Sequence, residues 1–156
     1  PVMFTPVFAE FGASSILVHY ESCKHVHYAI NQINSFGIKS GIILNYSTPL
    51  NTLDYLLEDL DIVALMAINP GIVGHKIIPG VIKKIADLRR IIDESGRKVV
   101  IEIDGGVNIE TAPKMIKSGA NSLVCGTSSI FKKDVPLNKS VMLFRKSIER
   151  NLLEES

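Results

Sequence analysis

The sequence predicts an α/β fold in which short parallel strands alternate with helices. Apolar residues recur at helical spacing in several separate segments, and continuous apolar runs of strand length lie between these segments. A continuous run, in place of an alternating one, is typical of a parallel strand that is covered on both faces of its sheet. A repeated βα unit is therefore the predicted organisation of the chain.

The elements can be placed in chain order. Helical spacing predicts helices at 26–33, 50–57, 81–92, 112–116 and 137–152. The apolar runs predict strands at 15–20, 41–44, 62–68, 99–103 and 122–125. Four of the strands are preceded by a glycine that can end a helix, and these are Gly12, Gly37, Gly96 and Gly119.

The composition favours one domain, 1–156, and gives no reason to expect certain partners. The 156 residues are 46% hydrophobic, which is ample for a sizeable core. The net charge of +1 provides no electrostatic case for nucleic acid or for a membrane surface, and no apolar run reaches membrane-spanning length. Cys23 and Cys125 lack the spacing of a disulfide framework, so we expect a reducing, cytoplasmic location.

The segment 81–92 also carries four basic residues, which alternate with its apolar positions: Lys83, Lys84, Arg89 and Arg90. An amphipathic helix normally turns such residues to solvent. We therefore expect a solvated helix face here and not a binding patch.

The segment 99–108 has the clearest chemical signature. A β-branched run ends near Asp104, and Gly105 and Gly106 then turn the chain into a helix that Asn108 is suited to open. Functional residues of α/β folds lie at the carboxyl ends of parallel strands. Asp104 is therefore a candidate catalytic residue, and the alternative is a turn in which it only caps the next element.

A loop after the last strand, 125–130, offers backbone N–H groups at Gly126 and hydroxyls at Thr127 and Ser128. It would lie beside the glycines at 105–106, at the two final strands. In βα barrels this position commonly holds a phosphate group, so the pattern predicts a phosphorylated small molecule as ligand.

The segment 69–76, with Gly71 and Gly74, is a second candidate loop. It lacks the Gly-Lys-Ser/Thr ending of a nucleotide-binding P-loop. An ordinary turn explains it at least as well.

Five predicted strands leave two architectures open. One is an open five-stranded sheet, and the other is the later part of a (β/α)8 barrel of TIM-barrel type, which usually needs about 250 residues. The chain begins with Pro1 and not with methionine, so we expect further chain before it.

Several motifs together resemble the ribulose-phosphate 3-epimerase family. They lie, in order, at 18–21 (Val-His-Tyr-Glu), 43–49, 66–71 (Met-Ala-Ile-Asn-Pro-Gly), 101–108 (Ile-Glu-Ile-Asp-Gly-Gly-Val-Asn) and 124–127. The resemblance extends from about residue 1 to residue 148. The peptides at 66–71 and 101–108 are quite specific for the family when they occur together. It implies a ribulose-phosphate-binding barrel of which the fourth to eighth strands are visible here.

The resemblance implies a 3-epimerase that interconverts D-ribulose 5-phosphate and D-xylulose 5-phosphate through an enediolate. It also implies a divalent metal ion, Zn, Fe, Mn or Co, that stabilises the enediolate as a Lewis acid. Asp104 would be both a metal ligand and one of two acid/base residues, which act on opposite faces of the substrate.

The resemblance assigns the remaining site residues to substrate contacts. Gly71 and Gly74 correspond to the loop over the substrate, and Met66 to an apolar residue near the enediolate, although core packing explains Met66 almost as well. The phosphate contacts correspond to Gly105, Gly106, Gly126 and Thr127, with the Ser128 hydroxyl beside them.

The chain departs from the family pattern at several positions. Ile72-Val73 and His75 replace Phe-Gly and Gln in the substrate loop, and Tyr46 replaces proline. The end at 126–131 is one residue longer than the common form, as in relatives that act on allulose 6-phosphate. In the family the second carboxylate and the histidine ligands come from the first three strands, which this chain lacks.

Three functions therefore remain open: the pentulose-phosphate epimerase, a ketohexose-phosphate (allulose 6-phosphate) 3-epimerase, and a non-catalytic phosphate-binding half-barrel. His19, His25 and His27 are better explained as structural residues than as replacement ligands. Residues 1–156 alone are expected to be inactive, and their two free strand edges predict poor solubility or association. The family resemblance also allows a homo-oligomer.

Overall fold

The structure, a computed structural model, describes residues 2–71 and 76–154. One five-stranded sheet, in the order β1-β2-β3-β4-β5, forms its centre, and all neighbouring strands are parallel. The strands are β1 (Ser15–His19), β2 (Lys39–Leu44), β3 (Ile62–Met66), β4 (Val100–Asp104) and β5 (Ser122–Leu123). The predicted parallel sheet is confirmed.

The helices are α1 (Thr5–Glu10), α2 (Val26–Ser35), α3 (Val81–Ser95), α4 (Ala112–Lys117) and α5 (Leu137–Glu154). Each of the first four ends one or two residues before a predicted glycine stop. Asn108 caps the turn 108–111 that leads into α4, because its side-chain oxygen accepts hydrogen bonds from the N–H groups of Glu110 and Thr111 at 2.8 and 3.0 Å. The helix itself begins four residues later, at Ala112, after Thr111 as its N-cap. Within the described ranges no helix has the length and apolarity needed to cross a membrane.

The helix predicted at 50–57 is wrong. The chain forms two short 3₁₀ helices instead, Leu50–Leu53 and Leu57–Asp59. The leucines still turn inward, but Thr52 Oγ1 donates to the Pro49 carbonyl at 2.8 Å. Side chains of this kind compete with α-helical hydrogen bonds by bonding to nearby backbone groups.

Two strand ends also differ from the prediction. β3 ends at Met66, two residues early, and β5 is limited to Ser122–Leu123. After Met66 the chain leaves the sheet, and the Ala67 N–H donates to the Asp104 carbonyl at 2.7 Å. Apolar character alone does not predict where β3 ends, since Ala67 and Ile68 are as apolar as the residues of the strand.

The two faces of the sheet have different surroundings. The face that packs against the helices is almost completely buried, with Ile42, Leu44, Leu65, Ile101 and Ile103 at its centre. Residues in register on the opposite face include Ile43, Ala64, Glu102 and Ser122. Parts of this second face are accessible, and Val100 is 37% exposed.

The sheet has two outer strands within the described part of the chain. β1 pairs with β2 only, and β5 pairs with β4 only. In a closed barrel such edges pair with further strands and the second face lines the interior. The arrangement is that of a partial barrel.

The predicted solvated face of α3 is wrong for one of its four cations. Lys83 points to solvent, but Lys84 is only 9% exposed. Its aliphatic stem lies among α3 residues that pack on the sheet, and its ammonium group has backbone partners, described below.

Candidate active site

Two predicted site residues meet at the carboxyl ends of β3 and β4. The register pairs Met66 with Asp104, the last residue of each strand. Met66 is buried and Asp104 is partly exposed. Because side chains alternate along a strand, both lie on the same face as Ala64 and Glu102, opposite the helices. A carboxylate and an apolar side chain therefore lie next to each other at the edge where βα proteins hold their ligands.

Gly105 and Gly106 form a tight turn directly after Asp104. Their φ angles are +103° and +63°. A Cβ at Gly105 would lie 2.5 Å from Ile68 Cγ1, and one at Gly106 would lie 2.4 Å from Ile77 Cγ2. Both backbone conformation and close packing thus require glycine here. Neither glycine N–H donates to another group of the described chain, which leaves both available to an anion.

The loop 126–131 lies against this turn, as predicted. Ser128 Oγ donates to the Val107 carbonyl at 2.9 Å and so ties the loop to the turn that follows β4. Thr127 and Ser128 are exposed at this junction. The structure thus brings Ser128, with Thr127 beside it, to the residue that follows Gly105 and Gly106.

Ser129 was missed by the sequence interpretation, although it organises this loop. It is 3% exposed, and the Gly126 N–H donates to its Oγ at 2.9 Å. Three N–H groups, those of Ser129, Ile130 and Phe131, donate in turn to the Gly126 carbonyl. The Gly126 N–H is therefore used within the loop, by its hydrogen bond to Ser129 Oγ, and is not available to a ligand. A serine three residues after a glycine was the available signal.

The substrate loop predicted after β3 is only partly within the described residues. Gly71 is exposed in a turn with φ +83°. Gly74 lies outside the described residues, together with Ile72, Val73 and His75.

A second polar cluster, formed around residues that the sequence places at strand ends, lies at the ends of β1 and β2. The Glu21 carboxylate accepts hydrogen bonds from the Asn45 N–H at 2.9 Å and from Thr48 Oγ1, and it contacts His19 Nδ1 at 2.5 Å. His19 is therefore paired, in line with a structural role. Strand-end position was a usable signal for Glu21 and Asn45, but their connection depends on the turn between β2 and β3.

Lys84 completes this cluster from the other side. Its Nζ donates to the carbonyls of Asn45, Tyr46 and Thr48 at 2.8, 2.9 and 2.6 Å. We call the four side chains of His19, Glu21, Thr48 and Lys84, which enclose the backbone of Asn45, the Glu21–Lys84 clamp. One carboxylate and one ammonium group thereby hold the turn 45–48 from opposite sides.

The charges of the clamp affect one another. Partial burial raises the pKa of Glu21, but hydrogen bonds from Thr48, from the backbone and from His19 outweigh burial and hold that pKa below its usual value of 4.5. Burial lowers the pKa of Lys84, and the nearby Glu21 charge opposes this change.

A groove of about 670 Å³ lies between the turn 46–50 and α3, on the helix side of the sheet. Its cationic side chains are already engaged: Lys83 pairs with Asp87 at 2.6 Å, Arg90 pairs with Glu94 at 3.1 Å, and Lys84 donates to the carbonyls of the turn 45–48. Asp104 does not line it. The groove is therefore separate from the candidate site.

The described residues do not complete a metal site. Among them no three His, Cys, Asp or Glu side chains come close enough together to share an ion. Asp104 offers one oxygen ligand, whereas a catalytic zinc site typically uses three protein ligands.

Taken together, a parallel βα sheet with a carboxylate and two adjoining glycine turns at its carboxyl edge defines a partial barrel of TIM-barrel type. The solved structure of 3-hexulose-6-phosphate synthase from Salmonella typhimurium agrees with this class. Its TM-score is 0.67 at 17% identity, and the match covers 99% of this chain and 69% of that one.

Within that class, the chain belongs to the ribulose-phosphate 3-epimerase family. The sequence profile of this family matches residues 1–131. Ribulose-phosphate 3-epimerase of Bacillus subtilis is 44% identical over 135 residues, 86% of this chain and 62% of that protein. The chloroplastic ribulose-5-phosphate-3-epimerase of Arabidopsis thaliana is 43% identical over 136 residues, 86% of this chain and 48% of that protein. The chain thus spans about half to three fifths of the length of these relatives.

Proposed function

We propose that the protein is an isomerase that interconverts D-ribulose 5-phosphate and D-xylulose 5-phosphate. The observation that carries the proposal is the position of Asp104, which ends β4 beside Met66 and beside two adjoining glycine turns. Membership of the ribulose-phosphate 3-epimerase family supports this choice of reaction.

The reaction needs a proton to leave C3 and another to return on the opposite face. The C3–H bond is weakened because C3 is bonded to the C2 carbonyl, so that removal of the proton gives an enediolate. Asp104 takes or gives the proton on one face. A second acid/base group is needed on the other face, and it would come from outside the described residues.

The glycine turns would position the substrate by its phosphate. The N–H groups at 105–106, which have no acceptor within the described residues, and the exposed Thr127 hydroxyl would donate to the phosphate. The Ser128 hydroxyl already donates to the Val107 carbonyl and would instead hold the two loops together. Fixing the phosphate there would place the sugar chain over the ends of β4 and β3, next to Asp104 and Met66.

We also propose that Asp104 is a ligand of a divalent ion, Zn, Fe, Mn or Co. Such an ion would supply Lewis-acid stabilisation of the enediolate oxygens. The carboxylate of Asp104 is the one ligand that we assign to it, and every other ligand would have to come from chain outside the described residues.

The test is the Asp104→Asn substitution in the full-length protein, with Asp54→Asn as the control at an exposed carboxylate on the turn before β3. Loss of an acid/base residue typically lowers the rate by about 10²- to 10⁴-fold. We expect that loss of kcat for Asp104→Asn and an unchanged rate for Asp54→Asn. Equal rates in the two variants would refute the role of Asp104.

The same assay separates the alternatives. Faster turnover of D-allulose 6-phosphate than of D-ribulose 5-phosphate would favour the hexulose-phosphate enzyme, which the longer loop at 126–131 leaves open. Binding of both sugars without turnover by the unsubstituted protein would favour a phosphate-binding protein without catalysis.

A further inference from the structure

Asn45 stands at the same edge of the sheet as Asp104, on the other side of Met66. The register pairs Leu44 with Leu65, so Asn45 follows β2 at the level at which Met66 ends β3. Leu44 lies in the helix-covered core, and side chains of successive strand residues alternate between faces. Asn45 thus continues the face that carries Met66 and Asp104.

The backbone of Asn45 is held from two directions by the Glu21–Lys84 clamp. Its N–H donates to the Glu21 carboxylate at 2.9 Å, and its carbonyl accepts from Lys84 Nζ at 2.8 Å. Two charged groups therefore fix the position of this one residue. Hydrogen bonds to charged groups are stronger than neutral ones, so the anchoring is firm.

The side chain of Asn45, in contrast, has an unused acceptor. Asn45 Oδ1 is buried and has no hydrogen-bond partner within the part of the chain that the structure describes. The only other buried side-chain atom in this condition among the described residues is Gln32 Oε1, on α2. Buried polar atoms are normally paired, and an exception at a ligand-binding edge calls for a donor from the ligand.

The order of residues along the edge indicates which part of a ligand supplies that donor. Neighbouring strands lie about 4.8 Å apart, which puts the ends of β2 and β4 about 10 Å from each other. The phosphate-binding turns lie on the β4–β5 side of Asp104, and Asn45 lies on the opposite side. A ketose phosphate with its phosphate in the turns and C3 at Asp104 directs its C1 hydroxymethyl group toward Asn45.

We propose that Asn45 is a further substrate-binding residue, whose carboxamide oxygen accepts a hydrogen bond from the C1 hydroxyl of the ketose phosphate. The assignment rests on the proposed function. Asn45 would then favour a ketose that carries a hydroxyl at C1 over one whose C1 is a methyl group.

The experiment combines substitution of Asn45 with removal of the C1 hydroxyl from the ketose phosphate. Exchange of the C3 hydrogen with solvent deuterium is followed by NMR for D-xylulose 5-phosphate and for 1-deoxy-D-xylulose 5-phosphate. The full-length protein is compared as wild type, as Asn45→Ala and as Asn51→Ala, a control at an exposed asparagine on the following turn.

We expect the wild type to prefer the hydroxylated ketose by about tenfold in kcat/KM, because a neutral hydrogen bond contributes of that order. Asn45→Ala should lose about tenfold on D-xylulose 5-phosphate and nothing on the deoxy sugar, so that the preference disappears. Its thermal midpoint should not fall, since the substitution removes an acceptor that had no partner. Asn51→Ala should behave as the wild type.

Three results would overturn the inference. The first is a wild type without preference between the sugars, a comparison that needs no variant to fold. The second is an equal loss on both sugars in Asn45→Ala, which would make the residue structural. The third is that the wild type exchanges the C3 hydrogen of neither sugar. Of the three results, only this one would also refute the proposed function.

Discussion

At the scale of single residues, Lys83 and Lys84 show how neighbouring lysines acquire different roles. The Lys83 side chain is 80% exposed and pairs with Asp87 on its own helix, whereas Lys84 is buried and donates to three carbonyls of another segment. Exposed helical ion pairs contribute little to stability. The charge of Lys84 instead supplies donors to three carbonyls of the turn 45–48.

Lys84→Met tests this difference against Lys83→Met. Methionine keeps much of the apolar stem but removes the donor from three carbonyls, so we expect the free energy of unfolding to fall by about 3 kcal/mol. Lys83→Met should change it by less than about 0.5 kcal/mol. The measurement is urea-induced unfolding, and similar losses in both variants would contradict the role assigned to Lys84.

Glu21 makes a pH-dependent contribution through the same clamp. Its pKa is lower in the folded protein than its usual value of 4.5, so its carboxylate adds stability above that pH. The contribution is lost as the pH falls through the folded-state pKa. Glu21→Gln should therefore show a shallower fall in stability from about pH 5 to pH 3 than the wild type.

Thermal unfolding at a series of pH values measures this effect. Glu149→Gln, at an exposed position on α5, controls for the removal of one carboxylate. A slope in Glu21→Gln as steep as in the wild type would show that Glu21 does not cause the acid sensitivity.

At the scale of elements, the turn after β4 depends on a backbone that only glycine can provide. Gly106 combines φ +63° with a neighbour that leaves no room for a Cβ, while a Cβ at Gly126 would meet no atom within 4 Å. The two glycines look equivalent in the sequence, but they serve different purposes. Gly106 gives the turn its shape, and Gly126 closes its loop through Ser129.

Gly106→Ala should lower the free energy of unfolding by about 2–4 kcal/mol, the sum expected for a left-handed alanine and a crowded Cβ. Gly126→Ala should cost less than about 0.5 kcal/mol in the same urea titration, because its site is open. Comparable costs at both positions would contradict the packing described for Gly106.

At the scale of the whole molecule, the sheet has an accessible second face and two outer strands within the described residues. Unpaired strand edges offer backbone groups to other chains. Apolar side chains on the second face, such as Leu17, add to this tendency. Both features are what closure of a barrel would remove.

The polypeptide 1–156, produced by itself, should therefore sediment above its monomer mass of 17.1 kDa. Leu17→Lys, on the outer strand β1, should shift the distribution toward the monomer, because an inward-pointing lysine blocks edge pairing. Tyr55→Lys, at a residue 93% exposed on the turn before β3, should not. A sharp monomer for the unsubstituted polypeptide would refute the prediction.

Much of the fold was accessible from the sequence. The five strands along the chain, the glycine stops and the capped turn at Asn108 depend on local chemistry, namely apolar runs and backbone preferences within a few residues. The helix at 50–57 failed because its apolar stripe is real but its polar residues bond to nearby carbonyls. Periodicity reports burial and does not report which hydrogen bonds the backbone forms.

The sequence by itself determined that five apolar segments form strands, and its motifs pointed to Asp104, Met66 and the paired glycines as candidates for a site. Only the tertiary structure decided that Ser129 organises the phosphate-side loop, that Lys84 is buried, and that Glu21 and Lys84 hold Asn45 between them. The physical reason is the range of the interactions. The strands follow from apolar residues that are neighbours in the chain, whereas Lys84 reaches carbonyls 36 to 39 residues away, a distance over which local patterns carry no information.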